Sequence, residues 1–269
     1  MALYDNYIFD FYGTLVDIHT NESKAFLWKK LALILSGMGF PYEWKQLKKD
    51  YLRFVDEETS KMASEFTDSD ITTRPEYKSA LTKSCPPIEV NGEIRKPEIE
   101  LRKVFRQLMS PWTTDEEIDE FAVTFRALSL DYIRVYDDIF VIFDHLRSEG
   151  KKIFLLSNAQ ACFTVPEMRS LGLYDLFDDI FISSDLGCAK PDPRFLRALV
   201  KKHNLDISKS VMIGNDYNSD IAIANALAMD SFYIHTATSP AIKDEKDIPA
   251  TYIDQKSGEL KLKHFTSLI

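Results

Sequence analysis

The stretch Tyr7-Ile-Phe-Asp10-Phe-Tyr-Gly-Thr-Leu-Val-Asp17 decides the fold of this 269-residue chain. Its first five residues form a short apolar and aromatic run that Gly13 interrupts, a pattern that predicts a buried strand ending in a loop. Asp10 lies where that strand stops. Burying an unpaired carboxylate is costly, so Asp10 needs partners from elsewhere in the chain. We therefore predict a functional carboxylate at the end of the first strand of an α/β domain.

The rest of the chain divides into a helical segment and an alternating segment. From residue 18 to 136 apolar residues recur mainly at helical spacing, and Thr114 with Glu117 predicts a capping box at one helix start. A loop or irregular hairpin is expected near Pro86, Pro87, Asn91, Gly92 and Pro97. We predict a mainly helical domain, residues 18–136, inserted into a core domain made of residues 1–17 and 137–269.

Beyond the insertion, short apolar runs alternate with amphipathic segments. The predicted strands are 153–156, 180–182, 211–213 and 232–234, and the predicted helices are 139–146, 193–203 and 218–228. Such alternation is typical of a parallel sheet covered by helices on both faces. The sequence thus predicts an α/β, doubly wound, Rossmann-like core that is assembled from both sides of the insertion.

Composition narrows the classes of partner. The net charge of −9 and the pI near 5.2 argue against nucleic acid, which clustered Lys and Arg bind. Three widely spaced cysteines indicate neither a disulfide framework nor a zinc site. The start of the chain lacks a signal-like segment, and the longest apolar run, Leu31 to Leu35, is too short to span a membrane. We expect a cytoplasmic monomer or homodimer that contacts neither nucleic acid nor membrane.

Polar residues follow the predicted strands at the points where the strands end. They are Asp10 with Tyr12 and Thr14, Ser157 with Asn158, Lys190, and Asp216 with Asp220. Each alone could cap a helix or form a turn. Together they would meet at one edge of a parallel sheet, where ligands bind. Several carboxylates there need a cation such as Mg²⁺, and a lysine with small hydroxyl or amide groups would hold an anion.

Four segments resemble the ordered motifs of the haloacid dehalogenase-like hydrolase superfamily. They are Asp10 to Asp17, Leu155-Leu-Ser-Asn158, Lys190-Pro-Asp-Pro193 and Ile213-Gly-Asn-Asp-Tyr-Asn-Ser-Asp220. The resemblance implies that the helical insertion is a cap domain and that Asp10 is the nucleophile. It also implies that Lys190 steadies nucleophile and phosphate, that Thr14, Ser157 and Asn158 bind substrate, and that Asp220 supports the acidic loop. Mg²⁺ would be bound by Asp10, Asp216 and the backbone carbonyl of Tyr12.

Tyr12 departs from the motif of most phosphatases in this superfamily, which have a second Asp at this position as acid and base. A tyrosine with an ordinary pKa near ~10 can donate a hydrogen bond, so we predict a catalytic role for Tyr12, but it is a poor base at neutral pH. Tyrosine here is characteristic of the metal-independent 2-haloacid dehalogenases, which bind halide with an arginine of the early cap. Between Asn21 and Asp50 this chain has six lysines and no arginine. The spacing of Asp216 and Asp220 also resembles the metal-binding phosphatases.

The resemblance therefore implies a hydrolase, and three interpretations stay open. The first is a Mg²⁺-dependent phosphatase that forms an aspartyl-phosphate with a small phosphorylated metabolite. Without the second Asp, such an enzyme should favour substrates with a good leaving group, such as acyl or aryl phosphates. The second interpretation is a 2-haloacid dehalogenase that uses the same nucleophile without metal. The third is a descendant that binds a ligand without turnover.

Overall fold

The computed structural model describes residues 3–64, 71–73, 87–90 and 92–240. The strands are β1 (Asn6–Phe9), β2 (Val16–Thr20), β3 (Ile71–Thr73), β4 (Ile88–Val90), β5 (Glu93–Arg95), β6 (Leu130–Val135), β7 (Lys152–Ser157), β8 (Asp179–Ile182), β9 (Ser210–Gly214) and β10 (Asp230–Tyr233). The helices are α1 (Ala25–Gly37), α2 (Trp44–Ser64), α3 (Leu101–Leu108), α4 (Asp115–Ser129), α5 (Ile139–Ser148), α6 (Ala161–Ser170), α7 (Ser183–Leu186), α8 (Pro193–His203) and α9 (Ala222–Ala226).

Five strands form a parallel central sheet in the order β10-β9-β1-β7-β8. The central strand β1 pairs with β7 on one side and β9 on the other, so Ile8 lies opposite both Phe154 and Met212. This confirms the predicted α/β fold with a parallel sheet assembled across the insertion. The predicted helix over 218–228 is instead a π-helical turn, Tyr217–Ile221, followed by the short α9.

The sheet is covered on both faces because its strands are apolar at consecutive positions. Alternate residues point to opposite faces. Phe9 and Leu155 join the cluster that packs against α5 and α6, whereas Ile8, Phe154 and Leu156 join the cluster under α8 and α9. A strand buried on both sides cannot alternate with polar residues, which explains the unbroken apolar run before Asp10.

The inserted segment has an apolar core of its own. Helices α1 to α4 bury an aromatic cluster that includes Trp28, Tyr51, Phe105 and Phe125, and Phe163 of α6 joins it from the other segment. Helix α4 begins with the predicted capping box of Thr114 and Glu117. The cap and core boundaries given above stay a prediction.

An antiparallel ribbon of β2 and β6, which the sequence patterns did not predict, connects the two segments. The chain enters the insertion along β2 and returns along β6, with Asp17 opposite Arg134. The Arg134 Nη2 lies 2.8 Å from an Asp17 carboxylate oxygen. The ribbon begins only six residues after Asp10, so the insertion is joined directly to the loop that carries the predicted nucleophile.

A small antiparallel sheet of β3, β4 and β5 lies within the insertion. The β4–β5 pair corresponds to the predicted loop or irregular hairpin, although Pro86 and Asn91 lie outside the described residues. Pro97 then forms a bridge with Cys188, beside the loop that carries Lys190. In the part of the chain that the structure describes, no helix has the length and apolar character needed to cross a membrane.

Candidate active site

The loop after β1 places the predicted nucleophile at the carboxyl edge of the sheet. The Asp10 amide donates to the Ile213 carbonyl at 2.9 Å, which extends the β1–β9 pairing by one residue. The chain then turns sharply at Gly13, whose φ of +81° disfavours other residues. A Cβ atom on Gly13 would also lie 2.2 Å from the side-chain nitrogen of Asn215. Glycine is therefore required for this loop to pack beneath the loop that follows β9.

Asp10 and Lys190 form the centre of the site. Asp10 is 6% exposed and Lys190 is 1% exposed. The Lys190 Nζ donates to Asp10 Oδ1 at 2.6 Å and to the Leu156 carbonyl at 2.6 Å. It also lies 2.7 Å from Asp220 Oδ1. One buried ammonium group thus serves two buried carboxylates, which gives both the partner that their burial requires.

The charges of this cluster act on one another. Burial alone would lower the pKa of Lys190, but the negative charges of Asp10 and Asp220 outweigh it and raise that pKa. Burial raises the pKa of Asp220 above its usual range; the charge of Lys190 opposes this shift, and the charge of Asp10 adds to it. Lys190 is therefore a permanent cation at neutral pH, and it is shared by the two buried acids Asp10 and Asp220.

The loop after β9 holds the two further acids. Asp216 caps the turn that follows: its carboxylate accepts from the Asn218 amide at 2.9 Å and from the Ser219 hydroxyl at 2.9 Å. Asp220 Oδ2 accepts from the Asp216 amide at 2.9 Å, so the two acids are fixed relative to each other. Gly214 makes room for Asp220, because a Cβ atom there would lie 2.2 Å from Asp220 Oδ2.

The structure brings two of the predicted substrate ligands to the nucleophile. Ser157, at the end of β7, donates to Asp10 Oδ1 at 3.2 Å, and Thr14 donates to Asp10 Oδ2 at 3.1 Å. The side chain of Asn158 lies differently. Its Oδ1 accepts from the Lys190 amide at 2.7 Å and its Nδ2 donates to the Lys190 carbonyl at 2.9 Å. Asn158 therefore positions Lys190, and a substrate contact by its side chain stays a prediction.

The Tyr12 side chain points to helix α6. Its hydroxyl lies 2.5 Å from Glu167 Oε2 and 2.9 Å from Thr164 Oγ1. Burial, reinforced by the negative charge of Glu167, raises the pKa of Tyr12 well above its ordinary value. The hydroxyl therefore stays protonated and donates to Glu167. Among the described contacts it makes none with Asp10, so the predicted catalytic role of this side chain stays untested.

Sequence reasoning did not identify several residues that support the site. Thr236 donates to the Gly13 carbonyl at 2.8 Å and accepts from the Asn215 side chain at 3.4 Å. Glu167 accepts from the Tyr12 hydroxyl and from Arg126, whose guanidinium lies over the Tyr12 ring. Asn215 was within reach of a sequence argument because it directly precedes Asp216. Glu167, nine residues after Asn158, and Thr236, two residues after the predicted strand 232–234, also lie near segments that the sequence analysis used, but the sequence does not indicate which way their side chains point. Arg126 lies in the insertion, far from any motif.

A cavity of about 290 Å³ opens at this edge of the sheet, and Asp10, Tyr12, Lys190, Asp216 and Asp220 line it together with other residues. Two carboxylates and one backbone carbonyl form a hard oxygen donor set, and Mg²⁺ usually retains several water ligands. In the described ranges, no three His, Cys, Asp or Glu side chains are arranged as a metal site by themselves. Three acids nevertheless line the cavity beside one lysine, and such a donor set favours a further cation, so the residues present fit Mg²⁺.

The fold and the strand-end cluster together define a Rossmann-like α/β core with a buried aspartate bonded to a buried lysine at the carboxyl edge of the sheet. A family model described as haloacid dehalogenase-like hydrolase matches residues 4–227, and the chain belongs to this family. It is therefore a hydrolase. This confirms the family that the four motifs indicated.

Two curated relatives are similar over part of their length. The chain is 25% identical over 138 residues to glyceraldehyde 3-phosphate phosphatase of Methanothermobacter thermautotrophicus. The aligned region covers 50% of this chain and 61% of that protein. The chain is 28% identical over 112 residues to phosphoglycolate phosphatase of Agrobacterium fabrum, covering 42% and 48%. The chain thus spans roughly half to three fifths of the length of these relatives.

A solved structure, 2-haloacid dehalogenase from Pseudomonas syringae pv. Tomato, is similar over most of the chain. The TM-score is 0.54 at 18% sequence identity, with 93% of this chain and 94% of that chain covered. At this level of identity the similarity establishes a shared fold alone.

Proposed function

We propose that this hydrolase is a Mg²⁺-dependent phosphatase that acts through an aspartyl-phosphate on a small phosphorylated metabolite with a good leaving group. One observation carries the proposal: the Lys190 ammonium lies 2.6 Å from Asp10 and 2.7 Å from Asp220, and Asp216 lines the same cavity. The lysine suits a substrate that carries negative charge, and the acids in addition to the nucleophile suit a bound cation. The curated relatives, named as phosphatases, support the phosphatase part of this proposal.

In the proposed reaction the Asp10 carboxylate attacks phosphorus and the bond to the leaving oxygen breaks. Water then attacks the phosphorus of the aspartyl-phosphate, the bond between phosphorus and the Asp10 oxygen breaks, and the water proton leaves with inorganic phosphate while Asp10 becomes a free carboxylate again. Lys190 keeps the carboxylate oriented and offsets the charge that accumulates on the transferred group. Asp10, Asp216 and the carbonyl of Tyr12 would hold Mg²⁺, which supplies further charge stabilisation when bound. Ser157 and Thr14, which donate to Asp10, would bind the oxygens of the transferred group.

Tyr12 determines which leaving groups are suitable. Its hydroxyl is bonded to Glu167 at 2.5 Å, and its raised pKa makes it neither a base nor a ready acid. General acid help to a departing oxygen is typically worth ~10²–10⁴-fold in rate. Substrates whose leaving group is already stable as an anion do not need that help. Acyl phosphates, phosphoanhydrides and aryl phosphates are therefore preferred over sugar phosphates.

A substrate panel tests the proposal. Release of phosphate from acetyl phosphate, para-nitrophenyl phosphate and glycerol phosphate is measured with Mg²⁺ and with chelator, for the unaltered protein and for Asp10→Asn. Asp56→Asn, an exposed acid on α2, is the matched control. We expect Mg²⁺-dependent release that Asp10→Asn abolishes and Asp56→Asn retains. The acyl and aryl phosphates should react ~10²-fold or more faster than the alkyl phosphate.

Dehalogenation is the second candidate, and the residue that favours it is Tyr12. The described part of the early insertion, from Asn21 to Asp50, supplies no arginine for a halide, and Arg126 from α4 is paired with Glu167. Halide release from 2-chloropropionate without Mg²⁺ would replace the phosphatase proposal with this one. Equal turnover of aryl and alkyl phosphates would remove the leaving-group argument. Tight binding without turnover would identify a binding descendant.

A further inference from the structure

Four residues from three parts of the chain form what we call the Tyr12 clamp, namely Tyr12, Arg126, Thr164 and Glu167. Glu167 of α6 is its centre. One carboxylate oxygen of Glu167 accepts from the Tyr12 hydroxyl at 2.5 Å, and the other accepts from Arg126 Nε at 2.5 Å. Thr164, one turn earlier on α6, lies 2.9 Å from the Tyr12 hydroxyl. The carboxylate is thus bonded to the nucleophile loop and to helix α4 at the same time.

Burial makes this cluster unlike a surface ion pair. The Glu167 and Arg126 side chains are 8% and 14% exposed. The Arg126 guanidinium also lies over the Tyr12 ring, 5.6 Å from its centroid, and over the Phe163 ring at 5.2 Å. An exposed pair contributes little, whereas removing one partner of a buried pair leaves an uncompensated charge. Each member of the clamp therefore depends on the others.

The clamp is one of several contacts between the inserted segment and the core, and it reaches the loop beside Asp10. Tyr12 lies two residues after Asp10, in a loop that continues into β2 of the ribbon. Arg126 lies in the last turn of α4, inside the inserted segment, and Glu167 lies on a helix packed against the central sheet. A movement of α4 relative to α6 must stretch or break the clamp. Its first effect would be on the loop beside the nucleophile.

We propose that Glu167 is a positioning residue that links the position of helix α4 to the position of the loop that carries Asp10. It does so by holding the Tyr12 hydroxyl and the Arg126 guanidinium on one carboxylate. The length of the tyrosine side chain at the second position after Asp10 brings its hydroxyl to α6, where it meets Glu167 and Thr164. The inference holds for any reaction at Asp10 and goes beyond the proposed phosphatase activity.

Hydrogen exchange of the nucleophile loop tests the coupling without any substrate. The amides of Gly13, Thr14, Leu15 and Val16 donate within this loop, to Val16 or Phe11 carbonyls, and so report its order. Arg126→Met removes the bond from α4 while leaving Tyr12 in place. We expect exchange at residues 13–16 to accelerate about tenfold or more, with the amides of β9 unchanged. Arg102→Met is the matched control, since Arg102 pairs with Asp119 between α3 and α4, away from this loop.

Uniform acceleration through the whole chain, or equal effects of Arg126→Met and Arg102→Met, would overturn the proposal. If Arg126→Met fails to fold, Tyr12→Phe replaces it, because it removes one hydroxyl and keeps the ring. Glu167→Gln should lose protection against exchange at residues 13–16. Glu167→Asp keeps the charge, but its shorter side chain reaches one partner at a time, so it should recover less than half of that protection. Protection retained in Glu167→Gln would likewise refute the coupling.

Kinetics with Tyr12→Phe separate positioning from proton transfer. A positioning role lowers kcat by a similar factor, about tenfold, for aryl and alkyl phosphates and leaves KM within about threefold. A proton donor would slow the alkyl phosphate far more than the aryl phosphate, and that outcome would contradict the proposal. If the protein turns over no phosphate at all, the exchange experiment still decides the coupling, so the two proposals can fail separately.

Discussion

Glu98 should make the stability of this protein fall as the pH rises from acid to neutral. This residue lies between β5 and α3 and is only 6% exposed. Its carboxylate accepts from the Gln160 side chain at 3.3 Å and from the Ser183 hydroxyl at 3.2 Å, so it joins the inserted segment to the loops after β7 and β8. Burial raises its pKa from 4.5 to about 7, although the charge of Lys96 and the bond from Ser183 act in the opposite direction.

The sign follows from where the proton is held. Between pH 4.5 and about 7 the folded protein retains the proton of Glu98, whereas the unfolded chain has released it. The stabilisation is thus fully present below pH 4.5 and is lost as the pH rises through about 7. A pKa difference of this size corresponds to on the order of 3 kcal/mol in the free energy of unfolding. Glu98→Gln keeps the shape and cannot ionise, so it should remove this part of the pH dependence.

Urea unfolding of both proteins at pH 5 and pH 8 measures the effect. The free energy of unfolding of Glu98→Gln, relative to the unaltered protein, should increase by about 2–3 kcal/mol between the two pH values. Glu120→Gln, an exposed substitution on α4, controls for the loss of a carboxylate at the surface. A stability difference between Glu98→Gln and the unaltered protein that stays the same at both pH values would refute the reasoning, because it would mean that Glu98 ionises alike in the folded and unfolded states.

Two further substitutions test the loops around Lys190. Gly214→Ala should lower activity at least about tenfold and destabilise the fold, because its Cβ would lie 2.2 Å from Asp220 Oδ2. Gly37→Ala in α1 is the control: its Cβ would meet nothing within 4 Å, so it should stabilise the fold by roughly 0.5–1 kcal/mol. Thermal unfolding that ranks the two variants the other way would contradict this. Asn158→Ala should cost about 1–3 kcal/mol and slow turnover, since two hydrogen bonds to the Lys190 backbone are lost. A variant with unchanged unfolding and kinetics would show that Lys190 is held without Asn158.

The position of the site could be predicted from sequence because parallel strands end at one edge. Asp10, Ser157 and Asp216 follow three adjacent strands, so a correct strand assignment was enough to bring them together. Side-chain direction could not be predicted in the same way. Nothing near Tyr12 in the sequence indicates α6, because Glu167 lies 155 residues further along the chain. The side-chain amide of Asn158 likewise bonds to the backbone of Lys190, which only the folded loop brings near.

The β2–β6 ribbon shows a related limit of sequence patterns. Its strands, Val16–Thr20 and Leu130–Val135, include alternating polar residues, and each alone is too short to stand out from the helical patterns around it. A two-stranded ribbon is stabilised by its cross-strand pairs, and the partner here lies more than a hundred residues away. The prediction of a mainly helical insertion therefore described its core but not the way it is attached.

The attachment bears on how an insertion of helices can influence a loop at the edge of the sheet. The ribbon is anchored on one face, because Val16 is fully buried and Ile133 and Val135 pack against the same apolar cluster. The Tyr12 clamp adds a more direct connection, from Arg126 through Glu167 to a residue two positions from Asp10. The loop is thus held at Tyr12 by the clamp and at Val16 by the ribbon. If Asp10 accepts a phosphoryl group as proposed, its geometry is then set by how α4 packs on α6, and substitutions there should change kcat without touching the substrate.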